Sequence, residues 1–275
     1  MTIKLEEIDN VGHCSPIGIE NFKTDNTCIP AKYKKALQKV KKECNITDDN
    51  ELSIVNNLCV QQSSLADLIK QYYRPKKPTT WNVQPYTWLT NIDIIAVMRQ
   101  YTDKYNDFYF PPELPTRDFA KIIYNDVCVS QRICKLTAKK LLSFGKTKLG
   151  IIFNLDLHTG SGTHWVAIYT DFNEKSNKYG LCYFDSTGTK PPTEIEHFML
   201  KVQKELNKMN PQSCFKCKYN IMSFQNSTTE CGMFSMFFII LCLENPNDTY
   251  FEILQKMKVD DTMKKYRNIL FRPAH

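Results

Sequence analysis

LGIIFNLD (149–156), HWVAIYTD (164–171) and KYGLCYFD (178–185) decide the fold. Each is a short run rich in β-branched, aromatic and other apolar residues. Each ends on an aspartate and is followed by turn residues. They predict three strands, the last two forming a hairpin through DFNEKSNK (171–178). Downstream, PPTEIEHFMLKVQKELNKMN (191–210) carries Ile195, Phe198, Met199, Val202 and Leu206 on one helical stripe, with Thr193 and Glu196 as a capping box. KCKYNIMSFQ (216–225) reads as a further strand and CGMFSMFFIILCLEN (231–245) as a buried helix. DTYFEILQKM and DDTMKKYRNILF close the chain as helices.

Upstream the pattern is helical. TWLTNIDIIAVMRQYTDKY (87–105) places Thr90 three residues before Asp93 as a cap, then Ile94, Ile95, Val97, Met98 and Tyr101 at helix-like spacing. PPELPTRDFAKIIYN (111–125) predicts a loop and a short helix. The two prolines of RPKKPTT (74–80) mark a linker. Before it lie SSLADLIKQYY (63–73), a helix capped by Ser63 or Ser64, and AKYKKALQKVKKEC (31–44), a helix behind Pro30. The lysines at 32, 34, 35, 39, 41 and 42 form a solvated face or a polyanion-binding or substrate-binding arm. The expected architecture is α+β. A short mixed or antiparallel sheet is flanked by helices over 81–275, with a helical N-terminal arm and linker over 1–80.

Composition narrows the class. The 275 residues are 42% hydrophobic and 24% charged, as in ordinary globular proteins. A net charge of +7 permits contact with nucleic acid or acidic partners without demanding it. The longest apolar run, Met233 to Leu243, is too short to span a bilayer. MTIKLEEIDN has acids and no apolar core of a secretory signal. Eleven cysteines in such a chain predict mostly reduced thiols rather than a disulfide framework.

One cysteine stands apart. Cys231 lies between the polar NSTTE (226–230) and an apolar helix, and Gly232 leaves room for approach to its sulfur. A helix N-terminus favours the thiolate, which is the nucleophilic form. A cysteine before an apolar helix is also an ordinary structural residue. Of five histidines, His164 opens a strand after a glycine turn and so sits at the rim of the sheet. Asp185 closes the partner strand, so the hairpin brings the two near one another. A carboxylate there can fix the imidazole tautomer, or simply cap its own turn. Gln225, six residues before Cys231, can donate its side-chain amide to an oxyanion or stand as a plain loop glutamine.

Taken together, H-W…D…Q-x-x-x-x-x-C-G resembles the clan of SUMO-type ubiquitin-like-protein proteases and the adenovirus endopeptidase. The segments NLDLHTGSGTHWVAIYTD, YFDSTGTKPP and TECGMFSMFF are similar to the polyprotein-processing proteases of African swine fever virus and related large DNA viruses. The resemblance implies a thiol protease with Cys231, His164 and Asp185 as catalytic residues and Gln225 in the oxyanion hole. It also implies that Trp88 and Trp165 line a narrow tunnel that takes Gly-Gly. The implied substrate is a viral structural polyprotein, the implied setting infected-cell cytoplasm and particles, and no cofactor or metal is called for. Two alternatives share the triad: removal of a ubiquitin-like tag, and acyl transfer from acetyl-coenzyme A. Cys214 and Cys217 form a C-x-x-C without a second ligand pair, which argues against zinc. HTGSGTH (158–164) lacks the lysine and the context of a phosphate loop.

Overall fold

The structure, a computed structural model, describes residues 13–273, so MTIKLEEIDN and His275 lie outside the described residues. Among the described residues two compact units emerge, one running from Trp88 to Met263, the other comprising residues 13–87 together with 264–273.

The second of these units is built from α1 (Gly18–Asp25), α2 (Lys34–Glu43), α3 (Glu51–Asn56), α4 (Leu58–Gln61) and α5 (Ala66–Tyr72). Ile19, Leu37, Val40, Ile54, Val55, Val60, Ile69 and Tyr73 make its core. RPKKPTT belongs to this unit: Arg74 N donates to His13 O (2.8 Å) and Lys77 N to Arg272 O (3.0 Å). Trp81 packs edge-on against Phe271, ring centroids 5.0 Å apart, with the Arg267 guanidinium 4.8 Å from its ring. Two features differ from expectation. The helix at 63–73 begins at Ala66 with Leu65 at its cap, and Ser63 Oγ instead accepts from Leu65 N and donates to Val60 O. Disulfides join Cys14 to Cys28 and Cys44 to Cys59, and a third, Cys128 to Cys134, lies in the other unit. The expectation of mostly reduced thiols is corrected for these six. All three pairs close short loops, and short helices around a small core benefit from such cross-links.

The unit from Trp88 holds α6 (Asn91–Lys104), β1 (Phe108–Tyr109), β2 (Ile122–Tyr124), β3 (Val127–Cys128), α7 (Gln131–Cys134), α8 (Ala138–Ser143), β4 (Lys148–Asn154), β5 (Trp165–Asp171) and β6 (Gly180–Phe184). Then follow α9 (Thr193–Met209), β7 (Cys217–Tyr219), α10 (Cys231–Glu244) and α11 (Tyr250–Lys256). The last helix, α12 (Asp260–Leu270), starts in this unit. The sheet order is β1-β4-β5-β6-β7. The β4–β5 and β5–β6 pairs are antiparallel, whereas β1 and β7 join the edges in parallel. This is the mixed α+β architecture expected.

The strands are near-continuously apolar because both faces of the sheet are covered. On one face Ile151, Phe153, Val166, Ile168, Leu181 and Tyr183 meet Ile195, Phe198, Met199, Val202 and Leu206 of α9. Each such side chain, once buried, contributes roughly 2 kcal/mol over an exposed one. On the other face lies α10, buried at every position from Cys231 to Leu243. Phe184 stacks on Phe238 at 4.8 Å. Gly150 lets β4 approach closely, since a Cβ there would lie 2.8 Å from the Phe108 ring. No helix among the described residues is long and apolar enough to cross a membrane.

Three local expectations need adjustment. The Thr90–Asp93 capping box forms as predicted, but the one at Thr193 does not: Thr193 is already inside α9 and Pro192 takes the flanking position. KCKYNIMSFQ contributes only Cys217–Tyr219 as strand. The helix expected near 120 is instead the β2–β3 hairpin, turning on Asn125 and Asp126 with φ of 39° and 62°. Two adjacent left-handed residues suit a tight hairpin, and Asn and Asp tolerate that conformation best among side-chain-bearing residues.

Candidate active site

The hairpin of β5 and β6 sets the first two groups. With Ala167 opposite Phe184, His164 just before β5 and Asp185 just after β6 reach the same end of the sheet. His164 Nε2 and Asp185 Oδ1 are 2.8 Å apart. The carboxylate is buried, 1% exposed, and is well provided with donors. Thr187 gives Oδ1 both its N–H (2.8 Å) and its hydroxyl (2.8 Å). Its backbone is held by Asn220, whose Oδ1 accepts from Asp185 N (2.9 Å) and whose Nδ2 donates to Asp185 O (2.7 Å). The amide of Asn220 thereby replaces a neighbouring strand at the point where β7 has ended.

Cys231 is the first residue of α10, which packs across the sheet. Its sulfur therefore sits in the positive field of a fourteen-residue helix's N-terminus. It is 2% exposed and lies close enough to the His164 ring to raise its pKa. With Nε2 committed to Asp185, Nδ1 is the nitrogen left for the thiol. Burial by itself lowers the His164 pKa. Hydrogen bonds to Asp185 and Cys231, with their negative charge, outweigh that and push it up to about 9. An imidazole with that pKa keeps its proton through neutral pH.

Gln225 lies on the loop that leads into α10, nearly buried. Its Oε1 accepts from Ser186 Oγ (2.6 Å) and its Nε2 donates to Ser227 O (2.6 Å). Trp165, opening β5, is buried, and its Nε1 donates to Leu89 O (3.1 Å). Trp88 is 47% exposed, and its Nε1 donates to Thr228 O (2.7 Å) on the loop between Gln225 and Cys231. Gly232 fits closely here, because a Cβ would come within 3.2 Å of Leu89 and 3.3 Å of Trp165 Cδ1. Residues widely spaced in sequence thus meet in one unit: His164 in contact with Asp185 and electrostatically coupled to Cys231, Gln225 on the loop before the cysteine, and both tryptophans tied to the segments around it.

Thr187 and Asn220 escaped the sequence reading. Thr187 had a signal, since a hydroxyl two residues after an aspartate is a usual turn partner. Asn220 had none, being 35 residues from the group it holds. Metal-ligand geometry among the described residues occurs at His13, Cys14 and Cys28. The disulfide between those two cysteines removes them as thiolate ligands. Of the C-x-x-C pair, Cys214 is exposed and Cys217 Sγ donates to Met199 O.

This geometry has relatives. The chain is 30% identical over 269 residues to a SUMO-1 cysteine protease from a Kenyan isolate of African swine fever virus, covering 93% of this chain and 94% of that one. A cysteine protease from a Malawian isolate of the same virus matches equally, 30% over 93% and 94% of the two chains. The crystal structure of the African swine fever virus protease superposes with a TM-score of 0.71 at 24% identity, spanning 98% of this chain and 99% of the other, and so shares the fold. Residues 97–272 match the Ulp1 protease family, C-terminal catalytic domain. The chain therefore belongs to the Ulp1 protease family and is a cysteine-type peptidase.

Proposed function

We propose that this peptidase is an endopeptidase that matures a viral structural polyprotein by cutting after Gly-Gly, with Cys231 as nucleophile. The observation that carries the chemistry is the position of His164 between the Asp185 carboxylate and the Cys231 thiol at the head of α10. The proton resides on the imidazole and the sulfur attacks the scissile carbonyl as thiolate. The carbonyl oxygen becomes an oxyanion, which the side-chain amide of Gln225 and the backbone N–H of Cys231 stabilise. As the C–N bond breaks, His164 gives its proton to the leaving amine. The thioester remains. A water molecule, deprotonated by the now neutral His164, attacks it; the C–S bond breaks, Cys231 leaves as thiolate beside the imidazolium, and the released carboxylic acid ionises to solvent. Asp185 holds the ring in the orientation both halves need.

Trp88 and Trp165 support the Gly-Gly preference. Their indole nitrogens tie Thr228 and Leu89 respectively, so both rings are anchored to segments around Cys231, and on this reading they flank its approach. Aromatic walls on both sides leave room for a chain without Cβ atoms. On this reading the reaction takes place in infected-cell cytoplasm and in particles, a setting in keeping with the viral origin of the matched proteins, and the N-terminal 80 residues serve as an arm that engages the folded substrate. A second reading, cleavage of a ubiquitin-like protein, is favoured by one observation: the matched African swine fever virus protein is named a SUMO-1 cysteine protease. Incubating the enzyme with candidate polyproteins and with SUMO fusions, then sequencing the new N-termini, separates the two. Cleavage of SUMO fusions alone would replace the polyprotein reading.

A further inference from the structure

An amide that stabilises an oxyanion must point its N–H the right way, and Gln225 cannot do so by itself. The two ends of a carboxamide are nearly isosteric, and a half-turn about the last torsion exchanges donor for acceptor. Ser186 Oγ, 2.6 Å from Oε1, does not settle the matter alone, because a hydroxyl can donate or accept. The Ser227 carbonyl does settle it. A carbonyl oxygen only accepts, so at 2.6 Å it must face the Gln225 NH2. One hydrogen of that group is thereby spent on Ser227, and the other is directed away at a fixed angle.

The Ser227 carbonyl is carried on a loop segment that a carboxylate holds from outside. The carboxylate of Asp260, at the start of α12, accepts from Asn226 N (2.8 Å), Ser227 N (3.0 Å) and Ser227 Oγ (2.8 Å). These two consecutive N–H groups and a hydroxyl fix the peptide planes on one side of Ser227. They belong to the loop that runs from Gln225 to Cys231, whereas Asp260 sits on a helix more than thirty residues away in sequence. Hydrogen bonds to a charged acceptor are about twice as strong as neutral ones. The chain of contacts runs Asp260, Ser227, Gln225, then the reacting carbonyl.

We infer that Asp260 is a positioning residue for oxyanion stabilisation, acting through Ser227 on the amide of Gln225. The inference rests on the reading that Gln225 holds the oxyanion. Asp260 touches neither substrate nor thiol in this scheme. Its removal loosens the Asn226–Ser227 segment that carries the Ser227 carbonyl, and the amide then loses its fixed direction while the Cys231–His164 pair stays intact.

Two reactions of the same sulfur separate these effects. Peptide hydrolysis passes through an oxyanion. Alkylation by iodoacetamide is a displacement at a saturated carbon: the S–C bond forms, iodide leaves, and no oxyanion arises. In the full-length enzyme, Asp260→Ala is expected to lower kcat on a fluorogenic peptide on the order of 10-fold, a fraction of the roughly 100-fold loss expected for removing an oxyanion donor outright. KM and the alkylation rate at Cys231, read by mass spectrometry of its peptide, are expected to stay within about twofold. Asp260→Asn, which keeps one acceptor oxygen, recovers part of kcat. The double variant Gln225→Ala with Asp260→Ala should be no slower than Gln225→Ala, because groups acting as a unit are not additive. If alkylation falls in parallel with kcat, or if the two losses multiply, Asp260 acts otherwise and the inference is overturned. If Gln225→Ala itself leaves kcat intact, the reading of Gln225 fails, and the role of Asp260 goes with it. Loss in Gln225→Ala with none in Asp260→Ala overturns the inference alone.

Discussion

Replacing Asp185 with alanine is expected to change the pH dependence of the enzyme and not only its rate. The pKa of His164 is held at about 9, against an ordinary 6.5, with burial opposing and the Asp185 and Cys231 hydrogen bonds and charges raising it. At pH 8 a group with that pKa is about nine-tenths protonated, whereas a histidine at 6.5 is about one-thirtieth protonated. In the proposed mechanism the imidazolium protonates the leaving amine, so the alkaline limb of kcat/KM in the wild type should fall near pH 9. Asp185→Ala removes one of the two partners that raise the pKa and leaves burial, which lowers it. The limb should then move down by more than one pH unit, and the variant's deficit should be larger at pH 8 than at pH 6.5. The stability sign follows from the same shift. A histidine whose folded-state pKa is raised contributes stability that is fully present below about 6.5 and is lost as pH rises through about 9. The shift corresponds to about 3 kcal/mol as an order of magnitude. Denaturant unfolding of wild type and Asp185→Ala at pH 6 and pH 9.5 should therefore show the wild type losing much more over that span. A profile of kcat/KM from pH 6 to 10 tests the kinetic half, and an alkaline limb that does not move in Asp185→Ala would refute the reasoning.

Other expectations follow from the same geometry. Cys231→Ala should abolish hydrolysis while preserving the circular dichroism spectrum; mapping of an irreversible peptide inhibitor to any other cysteine would reassign the nucleophile. Asp185→Ala should slow catalysis less than His164→Ala does at pH 6.5, because orientation can be partly supplied by chance while the proton carrier cannot. In a peptide series ending Gly-Gly, Ala-Gly, Gly-Ala and Ala-Ala before the scissile bond, only Gly-ended peptides should be cut well, and Trp88→Ala should relax that order; efficient cutting after Gly-Ala by the wild type would defeat the tunnel. Reduction of Cys14–Cys28 and Cys44–Cys59, whose partners are 14 and 15 residues apart, should cost about 3 kcal/mol each by loop entropy. A thermal scan with and without a phosphine reductant reads that loss.

What the sequence determined by itself is what local chemistry encodes. Three apolar runs ending on aspartates were enough to predict β4, β5 and β6, because a strand buried on both faces has no polar interruption. The stripe of α9 and the Thr90 cap of α6 were legible for the same reason: period and capping act within a few residues. His164 and Asp185 could be placed near one another because a single hairpin joins them. Tertiary structure decided the rest. Cys231 reaches His164 only once α10 crosses the sheet, and the direction of the Gln225 amide is set by Ser186 and Ser227. Asn220 and Asp260 are ordinary polar residues until folding brings one to the backbone of Asp185 and the other to the loop of Gln225. The same holds for the disulfides, since nothing local distinguishes Cys14 or Cys44 from Cys242. Pairing depends on which sulfurs the packed helices bring together, and no property of a single stretch of chain contains that distance.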